Sequence, residues 1–307
     1  MEHLFPYSVY HEGAIPEKIK DFLHSGADGI ELLTGYCPVD PSFKDYVRGV
    51  HLPYATDWYS SWSGDPDMTG VPDEDIIFVY YGRNRADILN NLVSAIGHAS
   101  SLEPEYAVLH GGSVTLDEVF EERRRRYDTD VIDALAEILN SVVSRFKGGR
   151  PPFTILFENL WWSGIRLLDD SEMKRLERKL EFDDWGFCLD TGHMMNAAGT
   201  RDSEGDAILS LMDIFRDYSD DLKERIVTMH LHLSTSCELP AVPDISMMTQ
   251  NEKLTAAYER VSRMDQHRPF TMRECTALVN EIRPSFVTHE ISYSGLSGMK
   301  GQRSLFT

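Results

Sequence analysis

The chain has 307 residues, 42% hydrophobic and 26% charged, enough for one large domain or two ordinary ones with a packed core. A formal net charge of −20 offers a phosphate backbone no counterion-release attraction, so nucleic acid is a poor default partner and a small molecule the better expectation. No apolar stretch approaches the roughly 18 residues of a membrane span. The start, "MEHLFPYSVYHEG", lacks a basic n-region and a long apolar h-region, and Cys37, Cys188, Cys237 and Cys275 show no paired spacing for zinc or disulfides. A reducing cytoplasm is the expected location.

In chain order, short β-rich runs recur: "LFPYSV", "DGIELL", "VRGVHLPY", "EYAVLHGG", "FTILFENL", "WGFCLDTGH", "IVTMHLHL" and "SFVTHEIS". Between them lie stretches with helical spacing, among them "IPEKIKDFLHSG", "ADILNNLVSAIGHASSL", "DTDVIDALAEILNSVVSRF" and "DAILSLMDIFRDYSDDLKERI". Strands alternating with helices predict a parallel sheet, and this number predicts an α/β fold, a closed (β/α)8 TIM barrel, as a single domain over residues 1–292. The "ERRRR" run at 122–126 reads as a solvated, salt-bridged face. The tail, residues 293–307, "YSGLSGMKGQRSLFT", is short and glycine-rich, so the barrel is expected to lack a full eighth outer helix. That gap would bare apolar side chains of the first and last strands. Either the tail covers them through Met299, Leu305 and Phe306, or a second subunit does; the tail's shortness favours a symmetric homodimer.

In such a barrel the chemistry sits at the C-terminal ends of the strands. His51 closes the third run, His110 the fourth, Glu158 the fifth and Asp190 the sixth, with His193 just beyond it; His230 lies on the seventh and Glu290 on the eighth. Singly, several have plainer readings: "CLDTGH" as a turn, His51 as a satisfied core histidine, Glu158 and Asn159 as a buried hydrogen-bond network. Six strands delivering only His, Asp and Glu to one rim are hard to explain by packing. Ionised carboxylates there would be costly to bury, and a shared divalent cation removes that cost. The mixed N/O set suits Mn²⁺, Zn²⁺ or Fe²⁺, one or two ions per chain. His232 shares a strand face with His230, so it reads as a ligand, a supporting partner or a substrate contact. Glu31, His11 and His289 read as structural or peripheral.

The pieces "VHLPY", "VLHGGS", "FENL", "CLDTGH", "MHLH" and "THEI", in this order, resemble the xylose isomerase-like TIM barrels, which include sugar isomerases and epimerases and endonuclease IV-type phosphodiesterases. The resemblance implies that Glu158, Asp190, His230 and Glu290 form the common metal quartet. His51 and His110 would be added ligands of multi-metal members, and His193 a substrate or further metal contact. Three-metal endonucleases carry an Asp-x-His pair shortly after the seventh-strand histidine. Here Asp244 has no histidine two residues on, so a complete third group is not expected.

The leading expectation is a metal-dependent isomerase or epimerase of a small sugar or sugar-like hydroxy-carbonyl compound. Glu158 and Glu290 would remove and return a proton, and His193 would contact substrate. The alternative is multi-metal phosphoester hydrolysis of the endonuclease IV type, with Glu158 bridging two ions; a non-catalytic ligand-binding barrel is the third reading. Trp58, Trp62, Trp161 and Trp162 lie in the loops, either anchoring them or lining the mouth as flat faces for a sugar or other planar ligand.

Overall fold

Period-two alternation decides which side chains enter the barrel. In the computed structural model, which describes residues 1–10, 16–121, 124–199, 203–235, 242–292 and 294–307, the strands are β1 Glu2–Ser8, β2 Gly29–Leu33, β3 Val47–His51, β4 Tyr106–His110, β5 Thr154–Glu158, β6 Trp185–Asp190, β7 Ile226–His230 and β8 Phe286–Thr288. They close a parallel barrel in the order β1-β8-β7-β6-β5-β4-β3-β2. His11 and Cys237, and residues 122–123 of the arginine run, lie outside the described residues.

Leu4, Tyr106, Val108, Leu156, Cys188 and Phe286 pack together inside the barrel. The residues between them, such as Ala107, Leu109, Ile155, Phe157, Phe187 and Leu189, join the apolar layer beneath the helices. Carrying the inward parity to the strand ends reaches His110, Glu158 and Asp190. The site is therefore built by the same alternation that builds the core. Gly49 shows how full the interior is: a Cβ there would lie 2.1 Å from the Tyr106 ring.

The tail corrects its expectation. It forms a helix, Gly295–Arg303, that fills the outer ring. Phe5, Ala27, Ile291 and Met299 form one apolar cluster with Phe22 and Leu296 against it, while Leu305 and Phe306 pack on the main layer. The surface expected to call for a second subunit is covered by the chain itself. Among the described residues, no helix is long and apolar enough to cross a membrane.

The arginine run is also only partly as expected. Arg124 pairs with Asp128 at 2.5 Å and Arg125 with Glu121 on the surface. Arg126 instead turns inward, donating to Asp57 at 2.8 Å and to the Ser60 hydroxyl at 2.6 Å. Between β7 and β8 the chain adds a helix, Gln250–Met264, begun by a capping box in which Thr249 and Glu252 satisfy each other's backbone N–H groups.

Candidate metal centre

Asp190 ends β6 and caps the helix Thr191–Ala198, its Oδ1 accepting from the His193 backbone N–H at 2.6 Å. Its Oδ2 accepts from His232 Nε2–H at 2.9 Å. Asn159, at the end of β5, accepts from the Asp190 backbone N–H at 2.7 Å and donates to its carbonyl at 3.0 Å. The "DTG" turn is thus a helix start, and it throws His193 back over the barrel. Gly192 is required here, since a Cβ would lie 2.0 Å from His232 Cε1.

Glu158 is the centre of the arrangement. Its Oε2 lies 3.0 Å from His51 Nε2 and 3.3 Å from His110 Nε2, and its Oε1 lies 3.3 Å from His230 Nδ1 and 3.4 Å from His193 Nδ1. Each oxygen therefore faces a different pair of imidazoles. Burial pushes the Glu158 carboxyl up, but His110 and His230 beside it outweigh that and hold it well below the usual carboxylate range.

Among the described residues, five overlapping groups of side chains converge closely enough to hold an ion, the atoms of each lying within 4.8 Å of one another: His51, His110 and Glu158; Glu158, Asp190, His230 and Glu290; Glu158, Cys188 and His230; His232, His267 and Glu290; and His193, Asp265 and His267. In the last, Asp265 Oδ2 is 3.3 Å from His193 Nε2 and 2.7 Å from His267 Nε2. Burial lowers the His267 imidazole, yet Glu290 and Asp265 lift it to about 10.

Two observations favour a cation. His230 Nδ1 is within 3.8 Å of Glu158, Asp190 and Glu290, 3.0 Å in the last case, yet among the described residues neither nitrogen of its ring nor Glu290 Oε2 makes a hydrogen bond. Buried polar atoms are rarely left so. In addition, His51, His193 and His267 each donate Nδ1–H to a backbone carbonyl, of Leu52, Asn159 and Glu290, at 2.9–3.0 Å. A carbonyl only accepts, so in the neutral ring the lone pair is on Nε2, aimed at carboxylates. That is the orientation of a metal-ligating histidine. The residues fit divalent ions.

The xylose isomerase-like TIM barrel family profile matches residues 81–288. The chain belongs to that family. Among solved structures it is similar to a D-tagatose 3-epimerase-like protein (TM-score 0.56, 15% identity, 100% of this chain and 97% of that one). It is similar to D-psicose 3-epimerase (TM-score 0.55, 12% identity, 100% and 97%) and to endonuclease IV from Thermus thermophilus (TM-score 0.53, 15% identity, 100% and 99%). At such identities the likeness is one of fold. No curated protein matches the sequence.

An Asp-x-His run does reach His193, from later in the chain than the sequence expectation looked for. The Asp-x-His pair is Asp265-Gln266-His267, and it follows His230 by 35 positions (265 − 230) rather than a few, with Gln250–Met264 in between. Asp244 is an exposed turn residue bonded to the Ser246 backbone. Glu31 is not peripheral: its Oε1 lies 2.8 Å from His230 Nε2, and its Oε2 accepts from Tyr106 at 2.6 Å and Thr288 at 3.1 Å. It places a carboxylate charge against His230 from inside the barrel. His232 is wholly buried, holds Asp190 and stacks on His267 with centroids 4.1 Å apart, so it supports the site rather than facing a substrate.

The tryptophans divide. Trp58 donates its indole N–H to the Gly112 carbonyl and Trp62 to Glu137, both buried; they are loop anchors, which corrects their reading as substrate contacts. Trp161 and Trp162 line a cavity of 580 Å³ together with His110, His193 and Asp265.

Proposed function

We propose that the chain is a metal-dependent phosphoester hydrolase. The carrying observation is Glu158, whose Oε2 faces His51 and His110 while its Oε1 faces His230, so that it belongs to two ligand groups, as a carboxylate shared between two ions would. The third group at His193 points the same way. An isomerase of the kind read from sequence needs one ion, whereas His51 and His110 lie on Glu158 as a further potential ligand pair beyond the common quartet. This reverses the order in which the two activities are read from sequence alone.

His51 and His110 would hold one ion with Glu158. Glu158, Asp190, His230 and Glu290 would hold a second, and His193, Asp265 and His267 a third. Bound there, divalent cations supply Lewis-acid catalysis and an activated water at neutral pH. The protein's own part is to keep the ligands aimed: the Glu31 carboxylate lies 2.8 Å from His230, His232 holds Asp190, and backbone carbonyls fix His51, His193 and His267. A geometry set by buried partners costs little to reorganise as charge develops.

Metal content measured alongside turnover of an aryl phosphodiester tests the reading. Two or three ions per chain with hydrolysis are expected. One ion per chain, with turnover of a ketose instead, would return the isomerase reading.

A further inference from the structure

The stretch between His230 and Asp265 builds something over the site. Its helix, Gln250–Met264, reaches the segment that follows β4: Lys253 Nζ pairs with Asp117 at 2.8 Å, and Arg260 Nε donates to the Val119 carbonyl at 3.0 Å. Beneath these, Ala257 packs with Val114, Val119 and Phe120, and Trp162 and Val261 lie against them. The helix is clasped across the barrel mouth by polar and apolar contacts together.

What remains below it is the 580 Å³ cavity, within the usual size of a pocket for one small molecule. Flat rings stand beside the candidate ligands: Tyr54 stacks on His110 at 4.4 Å, and Trp161 lies 5.1 Å from His193. Tyr258 of the clasped helix also lines the space. Trp161 Nε1 is buried and has no hydrogen-bond partner among the described residues, an unmet donor beside the centre. The lining also carries Asp65 and Asp67, while its arginines are engaged, Arg125 by Glu121 and Arg126 by Asp57. A duplex, with one negative charge per roughly 1.7 Å of axis, meets carboxylates here, and among the described residues the lining arginines are paired.

Resting on the hydrolase reading, we propose that the roofed cavity selects a small phosphoester bearing a flat aromatic or heteroaromatic group, of about nucleotide size, and excludes duplex nucleic acid. In the reaction, water oxygen bonds to phosphorus as the ester P–O bond breaks, and one water proton ends on the leaving oxygen. The rings grip the flat group, and the Trp161 indole N–H donates to the ligand.

The test uses the full chain reconstituted with Mn²⁺ and, separately, Zn²⁺. Its substrates are bis(4-nitrophenyl) phosphate and a short duplex containing one abasic site. Saturable hydrolysis of the diester is expected, with the duplex neither cleaved nor bound in fluorescence anisotropy. Trp161→Phe, which keeps a ring but loses the donor, should raise KM about five- to tenfold with kcat within about twofold. Binding of the duplex, or an unchanged KM in Trp161→Phe, overturns the proposal while leaving the hydrolase reading standing. If neither compound is cleaved, the hydrolase reading fails, and calorimetry with 4-nitrophenyl phosphate against the duplex still decides selection. Binding of the aryl phosphate alone sustains it; binding of the duplex, or of neither, overturns it.

Discussion

His193 Nε2 and Asp265 Oδ2 lie 3.3 Å apart although 72 positions separate them in the chain. Only the fold of the β7–β8 connection creates this pair, and with His267 it creates the third ligand group. If that group holds an ion, Asp265→Asn should lower the metal content measured by mass spectrometry by one ion per chain. The His51–His110–Glu158 and Glu158–Asp190–His230–Glu290 groups share no side chain with it and should keep theirs. A variant with unchanged metal content would show that the cluster is a hydrogen-bonded support and nothing more.

Glu158→Gln should behave differently, because Glu158 belongs both to the group with His51 and His110 and to the group with Asp190, His230 and Glu290. The amide keeps the shape but loses the charge facing His51, His110, His193 and His230. Loss of two ions and a fall in kcat of at least about a thousandfold are expected, with the circular-dichroism spectrum unchanged. Loss of a single ion would mean that Glu158 does not bridge.

How much of this was legible in the sequence follows from geometry. His51, His110, Glu158, Asp190 and His230 each end a short apolar strand, and a closed barrel carries such ends to one rim whatever the loops do. Glu31 escaped because it sits within β2 rather than at its end, where period two alone cannot tell an orienting carboxylate from a satisfied core one. Asp265 and His267 escaped because the inserted helix separates them from β7. Trp58 and Trp62 share the residue type of Trp161 and Trp162; only their committed indole N–H groups distinguish an anchor from a wall. The tail helix was hidden by Gly298 and Gly301, each costing about 1 kcal/mol of helix propensity, which the burial of Met299 and the hydrogen bonds of Gln302 offset.

A histidine relay on the far side of β8 sets a pH limit on the fold. Gln302 Nε2 donates to His289 Nδ1 at 2.9 Å, which leaves the His289 proton on Nε2, 3.0 Å from His3 Nδ1. The relay requires neutral rings. Burial, with His3 and Arg303 adding to it, holds His289 well below the imidazole range; burial and Arg303 take His3 down to about 4 against an ordinary 6.5, Asp28 opposing. Between those values the unfolded chain binds more protons than the folded one, so stability rises with pH across the window and is lost as pH falls through it. After allowing for solvent screening, a loss of about 1–2 kcal/mol from His3 is expected between pH 7 and pH 4. Urea titrations should show it, and His3→Asn should flatten the slope. Equal slopes in the two proteins would exclude His3 as the source.

Gln302 also ties the tail to the site. Besides His289, its Nε2 donates to the Leu231 carbonyl at 2.8 Å, and its Oε1 accepts from the Phe270 backbone N–H at 2.6 Å. Leu231 stands between His230 and His232, His289 precedes Glu290, and Phe270 follows His267 by three residues. One wholly buried amide therefore fastens three segments that carry ligands. Gln302→Leu strands a carbonyl, an N–H and a ring nitrogen, which should cost on the order of 3 kcal/mol and weaken metal binding about tenfold or more. Truncation before Gly295 removes the amide and also bares Phe5 and Ile291, so it should be worse, unfolding the chain or driving it to associate. Light scattering separates these cases: the intact chain is expected to run as a monomer and the truncated one to self-associate. An intact chain that proves dimeric while the truncated one stays soluble and monomeric would mean that the tail belongs to an interface rather than to the barrel's own outer ring.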